Sequence, residues 1–180
     1  MARIYSLLTA SLVFLAVPLL AQSSAPPPQG CSSEAHRQFD FWIGEWEVST
    51  PDGKVAGHNV IESILGGCVL AENWTSAGGG VEGKSFNVYD ARTERWHQTW
   101  VDTSGSLLKL DGALDKGRMV LSGDGIARDG KPVRHEIAWT PSDDGSVEQH
   151  WRVQKEGEDW RDVFVGIYRK VSPTSDEHRR

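Results

Sequence analysis

Two carboxylates, Glu62 and Glu72, flank the turn Leu65-Gly66-Gly67 in a hairpin that reads from Val55 to Ser76. Pairing the hairpin about Gly66 puts both on the face carrying His58, Val60, Ile64, Leu70 and Trp74; the alternative face, Asn59, Ile61, Ala71 and Asn73, would leave both in solvent. A glutamate buried beside Trp74, or close to a second carboxylate, titrates above its ordinary range and serves as an acid or base near neutral pH. A second set of chemically capable residues is Gln98, His135 and Gln149, spaced along strand-like segments among Trp46, Trp96, Trp100, Trp139 and Trp151. A core that only packs favours Leu, Ile and Val, whereas buried Trp and Gln need hydrogen-bond partners. Aromatic walls with a few placed polar groups describe a pocket for a small hydrophobic or amphipathic molecule, with Trp74 added from the hairpin. The competing picture is an interior filled by indoles that satisfy one another and the backbone.

Other chemistries find little support. None of the six histidines has ligand spacing such as H-x-x-x-H, and His36, His97, His150 and His178 read as surface or tail, so no metal site is expected. His135 alone would suit an axial haem ligand, but a lone histidine is more often a satisfied core residue, and no cofactor is expected. Serine-rich turns lack a G-x-S-x-G elbow. Catalysis, if any, falls to Glu62, Glu72 or His135, in an isomerase, cyclase or hydrolase.

The elements that must position these residues are strands. Turn signals recur at Pro51-Asp52-Gly53, Leu65-Gly66-Gly67, Ala77 to Gly80, Ala91-Arg92-Thr93, Thr103-Ser104-Gly105, Asp115-Lys116-Gly117, Arg128-Asp129-Gly130, Ser142 to Gly145 and Gly157-Glu158. Alternating segments rich in Val, Ile, Trp, Thr and Tyr lie between them, which predicts about ten sequential antiparallel strands closed into an all-β up-and-down barrel. Ser32 to Phe39 is the one helical candidate, a short lid. Matching apolar faces across the turns sets Phe86 and Val88 against Trp96 and Gln98. The same matching sets Trp96, Gln98 and Trp100 against Gly112, Leu110 and Leu108. It also sets Val133, His135, Ile137 and Trp139 against Val153, Trp151, Gln149 and Val147.

Arg3 followed by the apolar stretch Ile4 to Leu20 and then Ala21 has the order of a secretory signal peptide cleaved near Ala21, leaving no stable membrane span. The expected organisation is a signal peptide over 1–21, a flexible linker over 22–31, a barrel domain over 32–171 and a polar, disordered tail over 172–180. A secreted or periplasmic location follows, and there the cysteine pair Cys31 and Cys68 is expected to form a disulfide. The net charge of −6 and the absence of a basic stripe exclude nucleic acid as a partner.

At Phe41-Trp-Ile-Gly-Glu-Trp46, continued by Pro51-Asp-Gly53, Ile64-Leu-Gly-Gly-Cys68, Glu72-Asn-Trp74, Arg95-Trp-His-Gln-Thr-Trp-Val101 and Gly166-Ile-Tyr-Arg169, the chain resembles an uncharacterised bacterial family of exported calycin-type, lipocalin-like domains. The resemblance implies a closed barrel in which Gly44 and Trp46 form a structural Gly-x-Trp motif, with Arg169 on the last strand stacked over Trp46. Nitrobindin-like haem barrels belong to the same broad group, but their C-terminal histidine motif has no counterpart in Val163 to Val171.

Overall fold

A computed structural model describes residues 30–127 and 129–171 of the chain. The expected signal peptide with its cleavage near Ala21, most of the expected linker and the expected tail lie outside the described residues. Turn residues and period-two alternation produce ten strands: β1 (Gly44–Ser49), β2 (Val55–Ile64), β3 (Val69–Ser76), β4 (Glu82–Asp90), β5 (Arg95–Asp102), β6 (Leu107–Asp115), β7 (Arg118–Ile126), β8 (Pro132–Pro141), β9 (Val147–Lys155) and β10 (Arg161–Lys170). Each pairs antiparallel with its neighbour in sequence. β1 closes on β10 from Trp46↔Lys170 to Ser49↔Ile167, so the sheet is an up-and-down barrel with no free edge. A short helix, α1 (Glu34–Arg37), and a 3-10 turn (Asp40–Trp42) precede β1.

The segment before β1 closes one end of the barrel. Phe39 and Trp42 are fully buried and stacked, with ring centroids 4.9 Å apart. Phe39 also meets Trp96 and Trp139 edge-on, and Trp46 donates its indole N–H to the Trp42 carbonyl at 2.9 Å. Cys31 and Cys68 are joined by a disulfide that ties the start of this floor to the β2–β3 connection. Arg37 donates to the Gly67 carbonyl across the same gap. The floor is thus held by apolar contact, a covalent link and a side-chain cap on the turn.

The expected registers are corrected in three hairpins. Ile64 pairs with Val69, which leaves an even number of residues, Leu65 to Cys68, in the connection, where Leu65, Gly66 and Gly67 all take positive φ. An even connection opposes Ile61 to Glu72, so β2 points Asn59 and Ile61 inward while β3 points Leu70, Glu72 and Trp74 inward. Glu62 faces solvent. In β4 the pairing is Asn87↔Gln98 and Ser85↔Trp100, which turns Ser85 and Asn87 into the barrel and leaves Phe86 58% exposed. In β8 and β9, Trp139 opposes Gln149 and Ile137 opposes Trp151, two residues from the expected register but on the same face.

Candidate functional site

Above the floor the barrel encloses a cavity of about 570 Å³. Its wall is built from alternate residues of seven strands: Glu72 and Trp74 on β3, Gln98 and Trp100 on β5, Leu108 on β6, His135 and Ile137 on β8, Gln149 and Trp151 on β9, and Phe164 and Tyr168 on β10, with Gly125 on β7. Val81, Leu107, Ile126 and Val163, all exposed, surround it at the end opposite the floor. The lumen is hollow there because two indoles lie flat against the wall. A Cβ on Gly83 would meet the Trp100 ring at 2.1 Å, and one on Gly57 would meet the Trp74 ring at 2.7 Å, so each ring occupies space that only glycine leaves free. Gly83 pairs with Asp102 and Gly57 with Ser76, two residues further towards the open end than the aromatic concerned. Both rings therefore lean outward to the mouth.

A polar network runs along one wall. Glu72 is 5% exposed and accepts from Asn59 Nδ2 at 2.7 Å and from the Ser85 hydroxyl at 2.6 Å. Ser85 Oγ in turn receives Asn87 Nδ2 at 2.9 Å and Gln98 Nε2 at 3.5 Å, while Gln98 also donates to Asn87 Oδ1 at 2.9 Å. Asn59 reaches the Tyr168 hydroxyl at 3.3 Å, and that hydroxyl donates to Gln149 Oε1. Across the lumen, the Trp151 indole donates to His135 Nδ1 at 3.2 Å. Burial pushes the Glu72 carboxyl above its ordinary value, with the bonds from Ser85 and Asn59 opposing it only in part. Burial and the neighbouring Glu72 charge hold the Tyr168 phenol well above its usual range, and burial holds His135 below its own. At the mouth, burial would raise Asp102, but hydrogen bonds from Ser104, Ser106 and the Trp100 indole outweigh it and hold this carboxyl low. Chemically, the site presents one buried carboxyl, neutral donors and acceptors, and aromatic faces.

A family model described as "Protein of unknown function (DUF1579)" matches residues 32–170, a span that takes in α1, the floor and all ten strands. The chain belongs to the DUF1579 family. A search among curated proteins found no match.

The DUF1579 barrel sorts the residues that the sequence nominated. Trp74, Gln98, Trp100, His135, Gln149 and Trp151 meet around the cavity, joined by Glu72. Trp46, Trp96 and Trp139 lie below it in the aromatic floor and its surrounding core. Glu62, the second acid/base candidate, is on the outer surface, because the even β2–β3 connection reverses its strand relative to Glu72. Arg169 is not the cation over Trp46. Lys170 takes that place, with Nζ 5.3 Å from the ring centroid, because Trp46 opposes Lys170 in the closing register while Arg169 opposes Glu47 and points out. Gly44, at φ +146°, begins β1 next to this pair, where a Cβ would touch both the Trp46 ring and the Lys170 stem.

Asn59 entered the sequence reading only on the face that would leave both glutamates in solvent, and Ser85, Asn87, Phe164 and Tyr168 escaped it. The signal for Tyr168 was present, since it alternates with Phe164 and Gly166 on the final strand; polar residues in β2 and β4 offered no such signal, because strand alternation is ordinarily read from the apolar set. Among the described residues, no group of three or more His, Cys, Asp or Glu is placed to hold a metal ion, and no helix is long and apolar enough to cross a membrane.

Proposed function

We propose that this DUF1579 domain is an exported binding protein that holds a small hydrophobic or amphipathic molecule inside its barrel. The observation carrying this reading is the cavity itself: about 570 Å³, within the range of small-molecule sites, lined by indole and phenyl rings with a few convergent polar groups. Trp74, Trp100, Trp151 and Phe164 supply apolar contact, and Gln98, His135, Gln149 and Tyr168 orient the polar end. Export is supported by the order of residues 1–21 and by the Cys31–Cys68 disulfide, a bond that persists in oxidising compartments. Native mass spectrometry of freshly purified protein tests the reading. A single co-purified species of small-molecule mass, released on unfolding, is expected; a bare protein mass together with a melting temperature unmoved by lipid, terpenoid and aromatic libraries would remove its basis.

One observation favours an enzymatic variant of the same site. Glu72 is a buried carboxyl on the cavity wall with a raised pKa, the state suited to proton transfer near neutral pH. A ligand recovered with altered mass or connectivity after incubation, with conversion lost in Glu72→Gln, is the expected signature; recovery of every bound compound unchanged counts against it.

A further inference from the structure

We infer that the cavity is built for a small organic cation, an amine or quaternary ammonium on an apolar body, with Glu72 as its counter-charge and Trp74, Trp100 and Trp151 as its aromatic wall. This rests on the binding reading above and adds the chemical class of the ligand.

The first argument is the sign of the lining. Its two carboxylates are Glu72 and Asp102, and among the described lining residues there is no Lys or Arg. His135 accepts the Trp151 indole proton on Nδ1 and burial disfavours its cation, so it contributes no positive charge. A fatty-acid or other anionic head would meet Glu72 with nothing to balance it. The second argument is the direction of the hydrogen bonds. With Asn87 and Gln98 donating to Ser85 Oγ, the Ser85 proton is aimed at Glu72 Oε2, while Asn59 donates to Oε1. The wall is therefore organised around an ionised carboxylate, yet every donor on it is neutral, and Asn59 Oδ1 beside it is buried without a donor. An ammonium group supplies the charge and the N–H donors that this wall lacks. The third argument is the indole rings that line the same cavity, Trp74 two residues along β3 from Glu72, Trp100 on β5 and Trp151 on β9, since such rings attract a desolvated cation through their quadrupole. The low-pKa Asp102 near the rim adds attraction for cations at entry, and exposed Val81, Leu107, Ile126 and Val163 suit the apolar body.

Three probes with one body separate this inference from the reading it rests on: 4-phenylbutylamine, 4-phenylbutan-1-ol and 4-phenylbutyrate, titrated calorimetrically against the full mature protein. The amine is expected to bind at least about tenfold more tightly than the alcohol, with the acid weakest. If the alcohol or the acid binds as well as the amine, the cation assignment is overturned while the cavity stands as a binding site. If none of the three binds, the binding reading falls with it. Glu72→Gln should erase the amine's advantage over the alcohol.

A measurement on the wild type covers the case in which that variant fails to fold. Around Glu72 lie Asn59 from β2, Ser85 from β4 and, beyond them, Gln98 from β5 and Tyr168 from β10, of which only Tyr168 titrates, well above the range used. Elsewhere in the lining Asp102 is held low at the rim and His135 from β8 is held below its ordinary value, so the rise assigned to Glu72 is the part that persists in His135→Gln. Between about pH 4 and about pH 8 the amine stays protonated, so its affinity should rise as Glu72 ionises while that of the alcohol stays level. An amine affinity that is flat across this range would overturn the role of Glu72.

Discussion

Glu72 sits where burial and hydrogen bonding pull against each other, and the balance has a sign that stability reports. Its folded pKa is raised above the ordinary 4.5, so the folded state keeps a proton that the unfolded chain has already lost. Stability associated with this group is complete below about 4.5 and is lost as pH rises through the raised folded value. Glu72→Gln removes the ionisation, and its melting temperature relative to wild type should therefore climb with pH over that window and then level off. A constant difference across the window would mean that Glu72 ionises in the folded protein as it does in water. At the other end of the barrel, Trp46→Ala should cost roughly 3–5 kcal/mol, because a fully buried indole is removed from a packed floor. The cation above it contributes less: Lys170 is exposed, and its coupling to the ring should be about 0.5–1 kcal/mol. A double-mutant cycle of Trp46→Phe with Lys170→Ala reads this coupling, and the same cycle with Arg169→Ala should give losses that simply add.

At the scale of the element, β4 and β5 show how glycine shapes the lumen. Gly83→Ala places a methyl group into the space of the Trp100 ring, forcing the indole inward or the strands apart. Such overpacking should cost about 1–3 kcal/mol in denaturant unfolding, and the displaced ring should weaken ligand binding. Unchanged stability and affinity would show that the ring moves freely. The disulfide acts on the segment before β1: it closes a separation of 37 residues, and Cys31→Ser with Cys68→Ser should cost roughly 3–4 kcal/mol on the chain-entropy account.

These elements also mark what could be read from the chain. Turn residues and alternation were enough for the ten strands and their closed order, because each connection is local and all but the β4–β5 turn, Ala91 to Glu94, carry a glycine. β5 and β6 came out in register because their apolar faces match without ambiguity. The β2–β3 hairpin did not, since its parity depends on a 3-10 turn with Leu65 at φ 50°, a conformation the residue type does not announce. β4 failed for a different reason. Phe86 lies outside and Asn87 inside because Ser85, Asn87, Gln98 and Glu72 satisfy one another, a cost-cancelling arrangement that exists only when β3, β4 and β5 are assembled. Likewise Phe39 and Trp42 acquire their role as a floor only once there is an open barrel end to fill.

For the whole molecule, the division of labour is between a closed end made rigid by stacked aromatics and a disulfide, and an open end whose indoles are laid against the wall. A barrel meant only to be stable would fill its interior; this one places glycines beneath Trp74 and Trp100 and leaves a buried carboxyl facing the lumen. The central claim is that this space holds one small molecule. A titration of the protein with the uncharged probe N-phenyl-1-naphthylamine tests it most directly, following probe emission and quenching of the cavity tryptophans together. Saturable binding of one probe per chain, with both signals sharing one dissociation constant and the melting temperature rising as sites fill, is the predicted result. A linear, unsaturated response with no change in tryptophan emission or melting temperature would contradict it.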